Sequence, residues 1–243
     1  MSPSNILSHL KKLRDPARAT HSLRFFKTGV GEYGEGDKFL GLTVPQIRST
    51  VNQYWRTLSL KGTILLLHNS FHEARLTALL ILVAKYQHHS DQKQIYQLYL
   101  ANTSFINNWD LVDSSAHKII GDYLLTRPRD VLYRLVKSKS LWERRISIIA
   151  TFAFIAQGDY ADALHLAQLL RDDSHDLIHK AVGWTLREVG KKDQTLLLQF
   201  LDTHAGKMPR TMLRYAIEKL TPSARQHYLR SAIPQLLDTT APL

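Results

Sequence analysis

The spacing of apolar side chains limits most tightly what this chain can fold into. In nearly all its long segments they recur at every third or fourth residue, and few stretches alternate with period two. The first pattern gathers apolar groups on one face of a helix, whereas the second makes a half-buried strand. Five segments lie under one another: HEARLTALLILVAKY from residue 72, NWDLVDSSAHKIIGDYL from 108, LWERRISIIATFAFI from 141, HDLIHKAVGWTLREVG from 175 and MPRTMLRYAIEKL from 208. Their starts are about 33 to 36 residues apart, the period of stacked helix pairs. Shorter amphipathic pieces such as DQKQIYQLYLA, RDVLYRLVKS and YADALHLAQLL fall between them. One pair cannot bury its apolar face alone and must stack on its neighbours. The expected fold is all-α: a curved α-solenoid of about six or seven helix pairs, forming one domain over residues 1–243.

Proline supports the helical reading. Pro3, Pro16, Pro45, Pro128, Pro209 and Pro222 each stand just ahead of a periodic stretch, where a first helical turn tolerates them. Ser70, Asp91 and Ser174 read as capping residues at helix starts.

Charge points to the partner. The 32 Lys and Arg exceed the 21 Asp and Glu, for a formal net charge of +11. Such an excess suits a polyanion, and nucleic acid is the commonest one. The absence of cysteine excludes disulfides, thiolate metal sites and cysteine nucleophiles, and fits a cytoplasmic protein. The amino terminus is too polar for a secretory signal. Apolar runs such as LTALLILVA, residues 76–84, fall short of a membrane span. A soluble chain with no membrane partner is expected.

Three short patterns mimic known chemistry. GVGEYG at 29–34 has dinucleotide-binding spacing, but a helical pattern precedes it and Glu32, Glu35 and Asp37 would repel a pyrophosphate. It reads as a glycine loop. HDLIH at 175–179 has the spacing of a zinc-binding pair, but Asp176 stands where the zincin glutamate belongs, and the motif needs a third ligand downstream as well. Ser114 and Ser115 are too close along one helix to His117 to make a nucleophile and its base. No metal and no cofactor are expected.

Early in the five aligned segments stand Arg75, Asp113, Arg145, Lys180 and Arg210. Corresponding helices of a solenoid line one concave surface, so the expectation is a basic groove interrupted by one carboxylate. Trp109 and Asp113 are four residues apart and share a helix face. Lys180, Trp184, Arg187 and Glu188 form a second such face, and WERR adds Trp142 with Arg144 and Arg145. Aromatic rings interleaved with cations suit phosphate contacts combined with sugar packing. Arg144, Arg187 and Arg214, one turn beyond Arg210, complete the expected DNA-binding set with Arg75, Arg145, Lys180 and Arg210.

At WDLVDS (109–114), at the spacing from Trp142 to Arg145 and at KAVGWTLRE (180–188), the sequence resembles the bacterial DNA alkylation-repair glycosylases of the AlkD type. The similarity runs through most of the chain. It implies HEAT-like helical repeats and a monofunctional DNA glycosylase that removes cationic N3- and N7-alkylated purines from duplex DNA. Asp113 then corresponds to the catalytic carboxylate, Trp109 and Trp184 to the tryptophans that bracket the lesion's sugar-phosphate, and Arg145 to an arginine on the adjoining backbone. Members of the family act while the lesion stays largely stacked. The glycine loop at 27–41 is a departure, longer than the connection in the best-known members and similar to another branch.

The chemistry fits so spare a site. An alkylated cationic purine is already a good leaving group, and C–N cleavage develops an oxocarbenium-like sugar. A fixed carboxylate stabilises that charge and can orient water, while indole faces favour cationic character. With no lysine placed as a Schiff-base nucleophile, no lyase step is expected, and the protein would act as a monomer. Two other readings remain at this stage: a non-catalytic helical-repeat protein binding damaged or branched DNA, and a scaffold for another protein.

Overall fold

The computed structural model describes residues 1–89 and 91–231. Among them every regular element is a helix, apart from one isolated bridge between Lys38 and Phe71. The helices gather into two compact units, Met1–Arg127 and Pro128–Leu243.

The first unit contains α1 (Pro3–Lys12), α2 (Pro16–Phe25), α3 (Val44–Tyr54), α4 (Leu60–Leu67), α5 (His72–Gln87), α6 (Gln92–Ala101) and α7 (Trp109–Ala116). Proline opens α1, α2 and α3, and the side chains of Ser2, Asp15 and Thr43 cap their amino ends. Asp91 caps α6, accepting from the Gln94 amide. Ser70 does not play this role: the residue before α5 is Phe71, which makes no side-chain cap. Helix α5 is buried on almost every side and packs against α3, α4 and α7. Its Leu79, Ile81 and Leu82 are fully enclosed, as are Ile6 and Leu10 of α1 and Leu67 of α4. Each such side chain contributes about 1.5–3 kcal/mol relative to exposure. Beyond α7 the chain continues through a π-helical turn, His117–Gly121.

The second unit contains α8 (Asp130–Leu135), α9 (Leu141–Ala150), α10 (Phe152–Ala156), α11 (Ala161–Leu169), α12 (Asp176–Lys192), α13 (Gln194–His204), α14 (Arg210–Ala216) and α15 (Pro222–Ser231). Helix α12 is its axis, touching α9, α10, α11, α13 and α14. Its approach to α14 depends on Gly183, where a Cβ would fall 2.4 Å from the Met212 carbonyl oxygen. The residue before α12 is His175 rather than Ser174, and its ring Nδ1 accepts from the Leu177 amide at 3.1 Å.

The repeat is present in the elements themselves. Helices α5, α7, α9, α12 and α14 begin at residues 72, 109, 141, 176 and 210, within two residues of the starts read from apolar spacing.

Candidate active site

The glycine loop between α2 and α3 is not a loose excursion. Glu73 of α5 is 3% exposed, and its carboxylate accepts from the backbone amides of Leu40, Gly41 and Leu42 at 2.7–3.2 Å. Gly41 sits at φ +81°, and a Cβ there would meet the Asp15 carbonyl oxygen at 2.1 Å, so only glycine lets the loop close against α2. Asp37 is buried as well. Its carboxylate takes Arg75 Nη2 at 2.6 Å, Asn108 Nδ2 at 3.3 Å and faces His72 Nδ1 at 3.4 Å.

This corrects the expectation for Arg75. It is 4% exposed, paired with Asp37, and its Nη1 donates to the carbonyls of Asn69 and Ser70. Its charge anchors the loop and does not face a groove.

His72 joins the loop to α7. Its Nε2 lies 2.8 Å from Asp110 Oδ2, so the ring is clamped between two carboxylates. Burial alone would drive off its proton, but Asp110, by charge and hydrogen bond, and the hydrogen bond to Asp37 outweigh it, lifting the pKa to about 9. Asp37 shows the complement: burial pushes its carboxyl up, while His72 and Arg75 more than reverse this and hold it below the ordinary range. The imidazole stacks on Phe39 at 4.8 Å and lies 4.8 Å from Phe26. Phe26 in turn stacks under Trp109, with centroids 5.5 Å apart and planes 22° apart. Phe25, 57% exposed, meets the same indole edge-on at 5.9 Å. The cavity beside this stack is about 120 Å³, below the roughly 300 Å³ at which small-molecule pockets begin.

Asp113 follows Trp109 by one turn of α7, and both are half-buried. The next turn brings His117 against the Asp113 main chain. Burial first, then the Lys118 charge, lowers its pKa to about 4 despite that hydrogen bond, so it is neutral at physiological pH.

In the second unit, Trp184 is half-buried, packs edge-on against Phe152 at 4.7 Å and donates from Nε1 to Glu188 Oε1 at 3.0 Å. Within α12 this bond joins Trp184 to Glu188 one turn on. The expected DNA-binding cations of this helix have internal partners: Lys180 pairs with Asp176 at 2.8 Å, and Arg187 pairs with Glu218 and lies 3.7 Å from Glu188. Arg144 is held by Asp173 at 2.6 Å and donates to the carbonyls of Ser138 and Lys139. Arg145 departs from expectation. It is 4% exposed and donates to the Leu177 carbonyl at 2.5 Å, which withdraws it from solvent instead of laying it open to a phosphate. Arg210 is exposed although it donates to the Leu229 carbonyl, and Arg214 is exposed. The two rings of HDLIH are occupied too, His175 as the cap of α12 and His179 through Nε2 on the Asp173 carbonyl at 2.5 Å.

Sequence reasoning missed Phe26, Phe39, Asp37, His72, Asn108 and Asp110. A signal existed in the adjoining Phe25 and Phe26 and in the doubled Asn107 and Asn108 ahead of Trp109, but the helical repeat aligns segments without saying which side chains meet between them. Lys11, Lys12, Arg14, Arg18, Arg24, Lys27 and Arg48, on and around the first three helices, are exposed.

No helix among the described residues is long and apolar enough to cross a membrane. Comparison with curated proteins gives no match. In solved structures the fold is similar to a predicted DNA alkylation repair enzyme from Enterococcus faecalis, with TM-score 0.69 and 16% identity over 86% of this chain and 97% of that one. It is also similar to smu.31 from Streptococcus mutans UA159, with TM-score 0.51 and 15% identity over 96% of this chain and 98% of that one. The family model of the DNA alkylation repair enzymes matches residues 6–220. The chain belongs to the DNA alkylation repair enzyme family.

Proposed function

We propose that this protein is a monofunctional DNA glycosylase that hydrolyses the N-glycosidic bond of cationic N3- and N7-alkylated purines in duplex DNA. The observation that carries the reading is the pairing on α7 of a half-buried carboxylate, Asp113, with an indole, Trp109, backed by Phe26 at 5.5 Å. Such a pair suits a sugar that turns cationic. The carboxylate stabilises developing positive charge and orients the water that attacks it. The indole face favours the same charge through its quadrupole. The alkylated base leaves without a general acid because it departs as a neutral purine. In the second unit Trp184, by the family resemblance, is the second tryptophan on the sugar-phosphate.

Phosphate binding then falls to exposed cations, Arg210 and Arg214 in the second unit and those of the first three helices in the first. Lys180 joins them readily: its pair with Asp176 is a solvent-exposed i,i+4 contact, worth about 0.3–0.5 kcal/mol, and a phosphate can replace it.

Incubating the protein with methylated duplex DNA and measuring free base separates this reading from a DNA-binding protein without chemistry. Release of 7-methylguanine at a rate above spontaneous depurination supports it. Salt-sensitive binding with no released base supports the non-catalytic alternative.

A further inference from the structure

Three sequence features have no role in the reaction as proposed: the glycine loop at 27–41, the His72 to Arg75 turn of α5, and Asp110 between Trp109 and Asp113. The structure joins all three at one imidazole. Asp37 from the loop faces Nδ1 at 3.4 Å and Asp110 from α7 accepts at Nε2 at 2.8 Å. Phe39 stacks on one side of the ring at 4.8 Å, and Phe26 lies 4.8 Å away and carries Trp109. His72 is 2% exposed, so it cannot itself meet DNA.

We infer that His72 is a positioning residue for Trp109: held by Asp37 and Asp110, it fixes both the first turn of α7 and the aromatic stack on which the indole rests. The inference rests on the functional reading given to Trp109 above.

The physical argument is one of alternatives. Asp110 is adjacent in sequence to Trp109, and a carboxylate with 19% side-chain exposure would otherwise turn outward to water. The bond to a cationic imidazole is charge-assisted and about twice as strong as a neutral one. It draws α7 onto α5. The same ring fills the space beside Phe26, which leaves the indole one seat against that phenyl face. The charged groups facing the imidazole are Asp37 from the loop, Asp110 from α7 and Arg75 from its own helix; Glu73 is occupied by loop amides. Removing the imidazolium proton leaves one N–H on the ring: Asp37 keeps Arg75 and Asn108, while the bond to Asp110 loses its charge assistance and holds the indole's seat less firmly.

The test reads the indole directly. The emission of Trp109, taken as wild type minus Trp109→Phe, is followed from pH 6 to 10 without DNA. The expected result is a transition with a midpoint at about 9 in the wild type and none in a His72→Gln background. On methylated duplex, His72→Gln is expected to slow single-turnover base release by about tenfold or more, because small misplacements of a positioning group cost that much, with DNA affinity within about threefold. A Trp109 signal that ignores pH in the wild type overturns the proposal, and so does a His72→Gln protein with unchanged emission and unchanged release. If the wild type releases no base, the glycosylase reading fails, while the emission arm still decides the positioning role. Should His72→Gln not fold, Asp110→Asn removes the more exposed of the two anions around the ring and leaves the buried Asp37–Arg75 pair intact. It is expected to lower the midpoint, and an unshifted midpoint overturns the proposal.

Discussion

His72 Nε2 and Asp110 Oδ2, 2.8 Å apart, tie the core helix of the first unit to the residue beside Trp109. The imidazole also reaches Asp37 of the glycine loop, so one ring links three segments separated in sequence. This linkage ties the stability of the unit to pH.

The folded His72 has its pKa raised to about 9 from 6.5. Its stabilisation is complete below about pH 6.5 and is lost as pH rises through about 9. His117 has the opposite sign: buried neutral, with its pKa lowered to about 4, it stabilises above about pH 6.5 and loses that contribution as pH falls toward 4. Melting temperature is therefore expected to peak near pH 6.5 and fall on both sides. His72→Gln is expected to flatten the alkaline limb alone, as thermal scans across pH 4 to 10 would show.

Replacing Glu73 by Ala leaves the buried amides of Leu40, Gly41 and Leu42 without their shared acceptor. Unsatisfied buried donors cost about 1–3 kcal/mol each, partly relieved as water enters. A loss of about 3 kcal/mol or more is expected in urea unfolding, together with protease cleavage in the loop that the wild type resists.

Gly183→Ala sets a methyl group against the Met212 carbonyl oxygen at 2.4 Å and Tyr215 Cβ at 2.5 Å. Both belong to α14, so the two helices must separate. Overpacking of this kind costs about 1–3 kcal/mol, read as a lower melting temperature.

Arg75 and Arg214 are expected to behave oppositely. Arg75→Ala takes from the buried Asp37 its 2.6 Å cation and leaves it His72 and Asn108, which should destabilise by about 3 kcal/mol, while the salt dependence of DNA binding in the protein that remains folded is unchanged. Arg214 is exposed. Arg214→Ala should leave stability alone and reduce the slope of log affinity against log salt by about one unit. Denaturant titration and binding at several salt concentrations distinguish the two.

The helices were legible in the sequence because three-four periodicity is a local property that burial directly requires. The starts of α5, α7, α9, α12 and α14 follow from it within two residues. Caps were legible where Asp91 offered a carboxylate at the right offset, and not where Phe71 or His175 took the place of the serine before it. Arg75 and Arg145 show the limit most clearly. Both lie early in their helices, as a groove-facing cation should, yet both are buried. Helix position alone does not say which face a neighbour covers, and Asp37, the partner of Arg75, lies 38 residues away in the loop. For the same reason the ring cluster under Trp109 was invisible: its members come from α2, the loop, α5 and α7. That Trp109 and Asp113 share one face of α7 was legible because they are four residues apart on a single helix.

Single-turnover release of 7-methylguanine from a duplex bearing one lesion, measured for the wild type and for Asp113→Asn, tests the central claim most directly. Loss of the charge that steadies the electron-poor sugar is expected to slow release by about a hundredfold or more, with duplex affinity equal or slightly higher. Equal rates for the two proteins would contradict the account, because the carboxylate of Asp113 would then have no part in breaking the bond.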